Sequence, residues 1–479
     1  MIKQAVIIAD MTKNNISGNF NRIKPLNRLL GLSLLKRSIL NACEAGVEHF
    51  IIVLGLYSKE IEKKISGDKQ LKKQNIRIDC IYNENFNLSN GASILAIEEK
   101  VVLDENFFLF TADQVFNREI LISADKAITQ HSGNIILCVS SKNNDIADPK
   151  KNYVISTEGN SFLIRMDLNK FEFVSTGVFV LNKKIFNAIK TAKKEQNGDC
   201  TIYDGVNKLS PNDIYFHDIK DLFFQSIDSL DDFKMAEKKL LNSVRKATDG
   251  VIARNLNRYI SLFISKYLLK VNAHPNVITV GNLIIGLMSA YFIAQGGYFY
   301  SLIGGLFFQL ASIIDGCDGE VAKLTYKSSK YGAWFDTVCD NITYIAFLAC
   351  LPFGLYRYHQ EYLYVILGTL TFVSAILFVF LMIKYINKIQ GGGSLVKIVK
   401  DIEADAVFDL TSATKMLNYV ISKVAFMMRR DFFAFFFLLL CLVGFSFLIQ
   451  WLALSVLIFA CVYFYYYSRK QLKLLVIKQ

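Results

Sequence analysis

The second half of this 479-residue chain is dominated by long apolar runs, which restrict its fold more than any other feature. A transmembrane helix needs about 20 predominantly apolar residues to cross the hydrocarbon core of a bilayer. The last two runs are nearly continuous, but one helix of their combined length would be too long for a single crossing, so we expect a turn near Gln450. The pattern predicts an all-α membrane domain of six spans, at residues 276–295, 298–314, 332–355, 362–383, 432–449 and 451–467.

Lysine and arginine are distributed unevenly among the connections between these spans. The connection after the second span, the long connection after the fourth and the C-terminal tail are rich in basic residues, whereas the opposite connections carry almost none except Arg357. Because basic residues concentrate on the cytoplasmic side of membrane proteins, we expect a multi-pass protein of the cell membrane with both termini in the cytoplasm. The net charge of +12 then reflects lysine and arginine on the cytoplasmic face of a protein in the lipid bilayer, and nucleic-acid binding is not expected.

The first half of the chain alternates short apolar runs with segments of helical spacing. Strands that alternate with helices predict a mainly parallel, Rossmann-like α/β sheet, which binds ligands at the carboxyl ends of its strands. A helix is expected over residues 29–45, where the helical spacing ends at Gly46. The expected strands lie at residues 3–9, 49–55, 77–83, 106–113, 133–140 and 176–182.

Between these halves, residues 236–272 combine helical spacing with apolar, lysine and arginine residues. They predict a linker and an amphipathic helix that lies either in the membrane interface or against the soluble domain. The predicted domains are therefore 1–235, 236–272 and 273–479.

Four carboxylates flank the connection between the second and third spans. Asp315 and Asp318 are three residues apart, and Asp336 and Asp340 are four apart, so on helices each pair shares one face. Charged groups at this depth are costly and would repel one another, which favours a bound divalent cation. Oxygen ligands favour Mg²⁺, Mn²⁺ or Ca²⁺ over zinc, and Mg²⁺ usually completes its shell with substrate phosphates. Helix capping would explain one or two of these residues but not all four.

The same stretch resembles the signature of the CDP-alcohol phosphotransferase family, D-x-x-D-G-x-x-A-R, eight residues, then G-x-x-x-D-x-x-x-D. The spacing is intact, and the one departure is a lysine in place of the arginine, which keeps the charge but loses the bidentate fork. The resemblance covers most of residues 250–479. The matching residues are Asp315, Asp318, Gly319, Ala322, Lys323, Gly332, Asp336 and Asp340.

This resemblance implies a chemistry and a set of roles. The four aspartates would hold two Mg²⁺ or Mn²⁺ ions, and Asp340 would also take the proton from the acceptor hydroxyl. The CDP moiety would bind along Gly319, Ala322, Lys323 and Gly332. Arg429 and Arg430, before the fifth predicted span, resemble the basic entry to an acceptor pocket, although they also fit ordinary charges that flank a span. Family members commonly form homodimers.

The N-terminal half resembles sugar-phosphate nucleotidyltransferases, in which a glycine-rich loop cradles the triphosphate and carboxylates bind one Mg²⁺. Here the loop keeps Gly18 but lacks the usual glycine pair. Asp113 and Asp228 match the metal carboxylates, so the domain is either active or a folded remnant that binds without catalysis. The other matching residues are Arg22, Lys24, Asn90, Gly91, Thr176 and Gly177.

The order of the two halves resembles bifunctional cytidylyltransferase–phosphotransferases. The resemblance implies that the first half uses CTP to make a CDP-alcohol such as CDP-inositol. The second half would transfer the phospho-alcohol group to a polyol or polyol-phosphate acceptor and release CMP. The alternative is a CDP-diacylglycerol-dependent phospholipid synthase whose first half is an inactive binding or regulatory module.

Overall fold

The computed structural model describes residues 1–10, 23–98, 106–141, 153–158, 161–166, 171–196, 198–245, 252–388 and 430–477. These residues form two compact units, Met1–Ser243 and Val244–Gln479. The predicted boundaries near residues 235 and 272 stay predictions.

The first unit is built on a nine-stranded sheet with the order β10-β9-β11-β6-β1-β4-β5, to which β8 and β12 are attached through β11. Strands β6, β1, β4 and β5 are parallel, whereas β11 runs antiparallel to both β6 and β8, so the sheet is mixed. The strands are β1 Gln4–Ala9, β2 Arg28–Leu29, β3 Leu32–Ser33, β4 His49–Leu54, β5 Arg77–Tyr82, β6 Phe107–Thr111, β7 Gln114–Phe116, β8 Ile135–Ser140, β9 Val154–Glu158, β10 Ser161–Arg165, β11 Phe173–Leu181, β12 Ile214–Asp218 and β13 Phe224–Ser226.

Helices cover both faces of this sheet, which is why its central strands are continuous apolar runs rather than alternating ones. Every residue of β1 and β8 is buried. The helices are α1 Leu34–Glu44, α2 Ser58–Ser66, α3 Lys69–Lys72, α4 Asn90–Glu98, α5 Glu119–Gln130, α6 Lys184–Glu195, α7 Ile202–Val206 and α8 Leu230–Ser243, with single 3-10 turns at Lys24–Leu26 and Pro211–Asp213.

The α/β class and all six expected strands are confirmed, and two details differ. The helix expected over residues 29–45 begins at Leu34, because Arg28–Leu29 and Leu32–Ser33 form a small hairpin and Ser33 caps the helix. The sheet is mixed rather than mainly parallel, because the β9–β10 hairpin and β11 add antiparallel pairs. The β9–β10 hairpin consists of two strands of five residues each with a mixture of apolar and polar residues, which give a weaker signal than a buried run.

The second unit is helical. Helices α10, α11 and α12 are long and apolar enough to cross a membrane, and shorter apolar stretches lie at 363–378, 431–443 and 446–462. The number of spans therefore stays a prediction beyond these three. The helices are α9 Arg258–Lys270, preceded by a π-helical turn at Ala253–Asn257, then α10 Pro275–Gln295, α11 Tyr298–Leu324, α12 Lys330–His359, α13 Leu363–Lys388, α14 Arg430–Val443 and α15 Ser446–Ile477.

The turn between the last two apolar runs was predicted wrongly. It lies at Gly444, whose φ of 85° is left-handed and suits glycine, and not at Gln450. Gln450 is fully buried inside α15, where its side-chain amide donates to the Thr371 hydroxyl at 2.7 Å. A polar residue in an apolar run thus joins two helices instead of ending one.

The core of the second unit combines stacked aromatic rings with close backbone contacts. Phe308, Phe347 and Phe437 join α11, α12 and α14, with ring centroids 4.3 to 5.9 Å apart. At the far end of α12, a Cβ on Gly354 would overlap the Ile293 carbonyl oxygen of α10. Glycine therefore permits an approach of two backbones that no other residue allows.

We expect Gly354→Ala to destabilise the second unit by about 2 kcal/mol, because the added methyl group meets backbone that cannot rotate away. The apparent midpoint of thermal unfolding in detergent should fall by about 4–8 °C. Gly281→Ala in α10 is the matched control, since a Cβ there has no neighbour within 4 Å. Equal midpoints for the two variants would contradict the proposed close contact.

Candidate active sites

The carboxylates of the second unit lie where α11 ends and α12 begins. Asp315 and Asp318 lie within the last turns of α11, and Asp336 and Asp340 lie in the first turns of α12. The intervening segment is short, and the Ser329 hydroxyl caps α12 by accepting from the Gly332 amide at 2.9 Å. Both carboxylate pairs are thus inside helices, as their spacing predicted.

Three of these carboxylates converge. One oxygen from each of Asp315, Asp336 and Asp340 lies within 4.8 Å of the other two. Asp318 is more deeply buried and lies close to Asp336 of α12. Its other contacts are the Thr279 hydroxyl of α10 and the Gly319 amide, both of which donate to it. Thr279 was missed by sequence reasoning, because its role depends on which helix packs against α11.

The cluster suits a divalent cation. Its donors are all carboxylate oxygens, the donor type that Mg²⁺ and Mn²⁺ prefer. The Oδ1 atom of Asp336 is buried and has no hydrogen-bond partner among the described residues, although a buried acceptor without a partner is costly. A cation among these oxygens would supply that partner and offset the mutual repulsion of the carboxylates.

The remaining residues of the motif border this cluster. Gly319 is exposed, and a Cβ there would have no neighbour within 4 Å. Ala322 is half-buried, and Lys323 lies exposed one turn after Gly319, so both lie on the exposed side of α11. A Cβ on Gly332 would lie 3.1 Å from the Ser329 hydroxyl. Arg430 begins α14, and Arg429 lies outside the described residues.

A second cluster lies in the first unit, at the carboxyl edge of its sheet. The Lys24 ammonium donates to Asp113 Oδ2 at 2.6 Å and to Asp228 Oδ1 at 2.8 Å. Burial alone would lower the pKa of Lys24, but the attraction of Asp113 and then of Asp228 outweighs it, so the pKa is raised. The structure therefore brings together three predicted residues that are far apart in sequence.

The other predicted residues of the first unit make contacts that hold neighbouring segments together. Asn90 starts α4, and its side-chain oxygen accepts from the Ile202 amide at 2.8 Å. The Gly91 amide donates to the Cys200 carbonyl at 3.1 Å, which leaves no room for a side chain at that position. The Thr176 hydroxyl donates to the Cys138 carbonyl at 2.8 Å, and Gly177 has a φ of 72°. Arg22 lies outside the described residues.

Sequence reasoning missed one buried acid at this edge. Asp10 follows β1 directly, and its Oδ2 atom accepts from the Ser93 hydroxyl and from the Asn83 amide, the latter at 2.9 Å. Burial raises the pKa of the Asp10 carboxyl, and the two hydrogen bonds oppose the rise. The available signal was an aspartate at the end of a fully apolar strand.

Two family comparisons agree with these two clusters. Residues 20–233 match the nucleotidyl transferase family, and residues 272–462 match the CDP-alcohol phosphatidyltransferase family. The chain belongs to the family of bifunctional transferases, and its nucleotidyl transferase domain precedes its CDP-alcohol phosphatidyltransferase domain.

Individual relatives match over more than two thirds of the chain. The chain is 31% identical over 366 residues to the bifunctional IPC transferase and DIPP synthase of Aquifex aeolicus, a match that covers 74% of this chain and 78% of the relative. The protein of the same name from Thermococcus kodakarensis is 28% identical over 338 residues, which is 69% of this chain and 72% of the relative. Among solved structures, the inositol-1-phosphate CTP transferase from T. maritima is 23% identical, with a TM-score of 0.42, and covers 50% of this chain and 96% of its own.

The raised pKa of Asp10 predicts a pH-dependent effect of Asp10→Asn. A carboxyl with a raised pKa in the folded state favours folding below its unfolded pKa, and that contribution is lost as the pH rises through the folded pKa. The asparagine oxygen can accept the same two hydrogen bonds without a charge. We therefore expect Asp10→Asn to stabilise the first unit by about 1 kcal/mol at pH 7 and to lose this advantage near pH 4.

The measurement is hydrogen exchange of the β1 and α4 amides in the full chain, with variant and parent compared at the same pH. Asp68→Asn is the control of opposite sign. Burial raises the pKa of Asp68, but the hydrogen bond from Lys36 and those from backbone amides outweigh it and lower the pKa. That variant should lose protection at pH 7 and approach the parent in acid. An Asp10→Asn chain that is less protected at pH 7 would contradict the assignment.

Proposed function

We propose that this chain makes a CDP-alcohol from CTP and a phosphorylated alcohol in its first unit. The second unit then transfers the phospho-alcohol group to a hydroxyl acceptor and releases CMP. The observation that carries the proposal is the convergence of Asp315, Asp336 and Asp340 from two apolar helices. The resemblance of the sequence to bifunctional cytidylyltransferase–phosphotransferases supports an inositol-phosphate-like alcohol, with CDP-inositol as the donor and a polyol or polyol phosphate as the acceptor.

The transfer uses the four aspartates in two roles. Asp315, Asp318, Asp336 and Asp340 would hold two Mg²⁺ or Mn²⁺ ions, which would offset charge on the diphosphate and on the leaving CMP. Asp340 takes the proton of the acceptor hydroxyl. As that proton moves, the acceptor oxygen bonds to the β-phosphorus and the bond from this phosphorus to CMP breaks. Thr279 and the Gly319 amide keep the Asp318 carboxylate oriented.

The residues around the aspartates bind the two substrates. The exposed surface of Gly319 and Ala322 lets the CDP moiety approach α11, and Lys323 contacts a phosphate from the next turn. Gly332 opens the start of α12 in the same way. Arg429 and Arg430 bind the phosphate of the acceptor. Since lysine is a point charge and arginine a planar fork, Lys323 constrains the orientation of the phosphate less than the arginine of the family signature would.

The first unit catalyses the preceding step. The alcohol phosphate attacks the α-phosphorus of CTP and pyrophosphate leaves. Asp113 and Asp228 would hold one Mg²⁺, and Lys24 would turn from these carboxylates toward the triphosphate when the nucleotide binds. Arg22 also contacts the triphosphate. Asn90, Gly91, Thr176 and Gly177 border the base and the alcohol, as in the nucleotidyltransferases that the sequence resembles.

The arrangement in the cell follows from the apolar helices and the basic connections. We propose a homodimer in the cell membrane, with six spans in each chain and with both termini in the cytoplasm. CTP and phosphorylated alcohols are cytoplasmic, so this orientation gives the first unit access to its substrates. The partners are small molecules and the lipid bilayer, and nucleic acid is not among them.

A second candidate function follows from an apolar cavity. It has a volume of about 590 Å³, lies between α12, α13 and α15, and begins at Asn341, the neighbour of Asp340. It would hold an acyl chain beside the transfer site, as a CDP-diacylglycerol donor requires. In that case the chain is a phospholipid synthase, and the first unit is a binding or regulatory module without catalysis.

Asp340→Asn should lower kcat for CMP release by about 10²–10⁴-fold, because the amide cannot accept the proton. The assay uses the purified full chain, CDP-inositol, a phosphorylated polyol and Mg²⁺. Thr337→Ala is the matched control, because Thr337 is exposed on the same helix and donates to the Ala333 carbonyl. Full activity of Asp340→Asn would exclude the proposed base. If CDP-diacylglycerol competes for the site and supports faster CMP release, the second candidate holds.

The two units should lose activity independently. Asp113→Asn and Lys24→Met should abolish pyrophosphate release from CTP but keep CMP release from supplied CDP-alcohol, and Asp336→Asn should do the reverse. Lys36→Met is a control for removal of a paired lysine elsewhere in the first unit, because Lys36 pairs with Asp68. A parent chain that releases CMP but no pyrophosphate, with any phosphorylated alcohol tested, would mean that the first unit only binds.

A further inference from the structure

Glu320 is a fifth acidic residue in the carboxylate stretch, and the proposed reaction does not use it. It lies two residues after Asp318 and five after Asp315 on α11. At about 100° per residue, its side chain is about 200° around the helix from Asp318 and about 140° from Asp315. Glu320 therefore points away from the side of α11 that faces α12, and it is absent from the converging group of carboxylates.

The Glu320 carboxylate is almost completely buried against α9. Its Oε1 atom accepts from Arg258 Nη1 at 2.6 Å and from the Ser261 hydroxyl at 2.7 Å. Its Oε2 atom accepts from the Ser265 hydroxyl at 2.7 Å. The three donors lie three and four residues apart on α9 and so share one face of it. We call this set of four residues the Glu320 clamp.

Gly316 makes room for the clamp directly beside Asp315. A Cβ at this position would lie 3.0 Å from Arg258 Nη1 and 3.5 Å from Glu320 Oε1. Any side chain would therefore push the guanidinium away from α11. The same two turns of α11 therefore carry two polar faces. One face bears the carboxylates Asp315 and Asp318, and the other contacts the clamp residues of α9.

A buried ion pair is a poor way to gain stability, because the cost of desolvation commonly equals the attraction. The ion pair instead fixes geometry. Charge-assisted hydrogen bonds at fixed distances allow only one orientation of α11 about its own axis, whereas apolar contacts would allow several. Side-chain atoms lie about 5–6 Å from a helix axis, so a rotation of about 20° would move a carboxylate by about 2 Å. A displacement of even about 1 Å can reduce an enzymatic rate by about 10²-fold.

We propose that Glu320 is a positioning residue of the transferase site, which sets the rotation of α11 through Arg258, Ser261 and Ser265 and so places Asp315 and Asp318 for metal binding. The proposal rests on the metal-binding role that is proposed above for these aspartates. Glu320 touches neither the metal nor the substrate in this role. It acts through the helix that carries both ligands.

Glu320→Gln tests the proposal, because it keeps the volume of the side chain and removes the charge that holds Arg258. We measure Mn²⁺ affinity by electron paramagnetic resonance of the free ion, using the full chain with Asp113→Asn so that the first unit does not contribute. The Mn²⁺ affinity should fall by about 10-fold or more, as is usual when the group that orients a metal ligand is lost. CMP release should fall by about 10²-fold.

The matched control removes another buried polar contact between the same regions. Gln309 of α11 donates to the Asn257 side chain at 3.0 Å, about 9 Å along the helix from Asp315. Asn257→Ala should lower the thermal midpoint but leave the Mn²⁺ affinity at the parent value. Equal losses of Mn²⁺ affinity in Asn257→Ala and Glu320→Gln would show that the clamp only stabilises packing, and would overturn the proposal.

A double variant separates position from stability. In Arg258→Met/Glu320→Met the charges are replaced by apolar groups of similar length, which should restore the thermal midpoint without restoring the rotational constraint. Mn²⁺ affinity that stays low supports the proposal, and recovery of both properties overturns it. The double variant also decides the question if Glu320→Gln does not fold. Asp336→Asn is measured in parallel: retained Mn²⁺ binding there contradicts the proposed function itself, whereas its loss together with parent affinity in Glu320→Gln contradicts the clamp alone.

Discussion

The contact of carboxylates across α11 and α12 is the constraint on which the second unit depends. Two apolar helices must be held against each other at the point where Asp318 and Asp336 meet, and these groups repel each other when charged. The rest of the unit opposes that repulsion. Stacked phenylalanines hold the helices together in the core, and glycine lets the backbones of α10 and α12 pack closely at the far end of α12. The Ser329 cap and Thr279 act beside the carboxylates.

The surroundings of α11 differ between its two ends, in keeping with what each must do. Toward its start, the Ser289 hydroxyl donates to the Gly304 carbonyl and backbones approach closely, which fixes the distance between helices. Toward its end, polar side chains from α9 and α10 contact the helix on two sides. Close packing tolerates small rotations, whereas hydrogen bonds of fixed length do not. The polar contacts from α9 and α10 to Glu320 and Asp318 lie on the turns that carry the carboxylates.

Much of this site could be predicted from the sequence, because the helical period relates the spacing of residues to the side of the helix on which they lie. The spacing of Asp315, Asp318, Asp336 and Asp340 was enough to place them on two facing helix surfaces. The meeting of Lys24, Asp113 and Asp228 came only from resemblance, because no local pattern relates residues so far apart. Glu320 was overlooked although it stands inside the motif, since its orientation matters only once α9 packs there. Gln450 misled because a buried polar residue and a turn give the same local signal.

The two units meet the same electrostatic problem in different ways. In the first, the chain supplies its own cation, since Lys24 lies between Asp113 and Asp228 at hydrogen-bonding distance from both. In the second, no salt bridge joins Asp336 to a basic side chain among the described residues, and one of its oxygens is buried without a partner. A lysine inside the second cluster would stabilise the helices but would occupy the position that the proposed diphosphate and metal ions would need. In the proposed function, exchangeable cations would take the place of such a lysine. In a low-dielectric region, the cost of bringing these carboxylates together must be carried by the neighbouring helices.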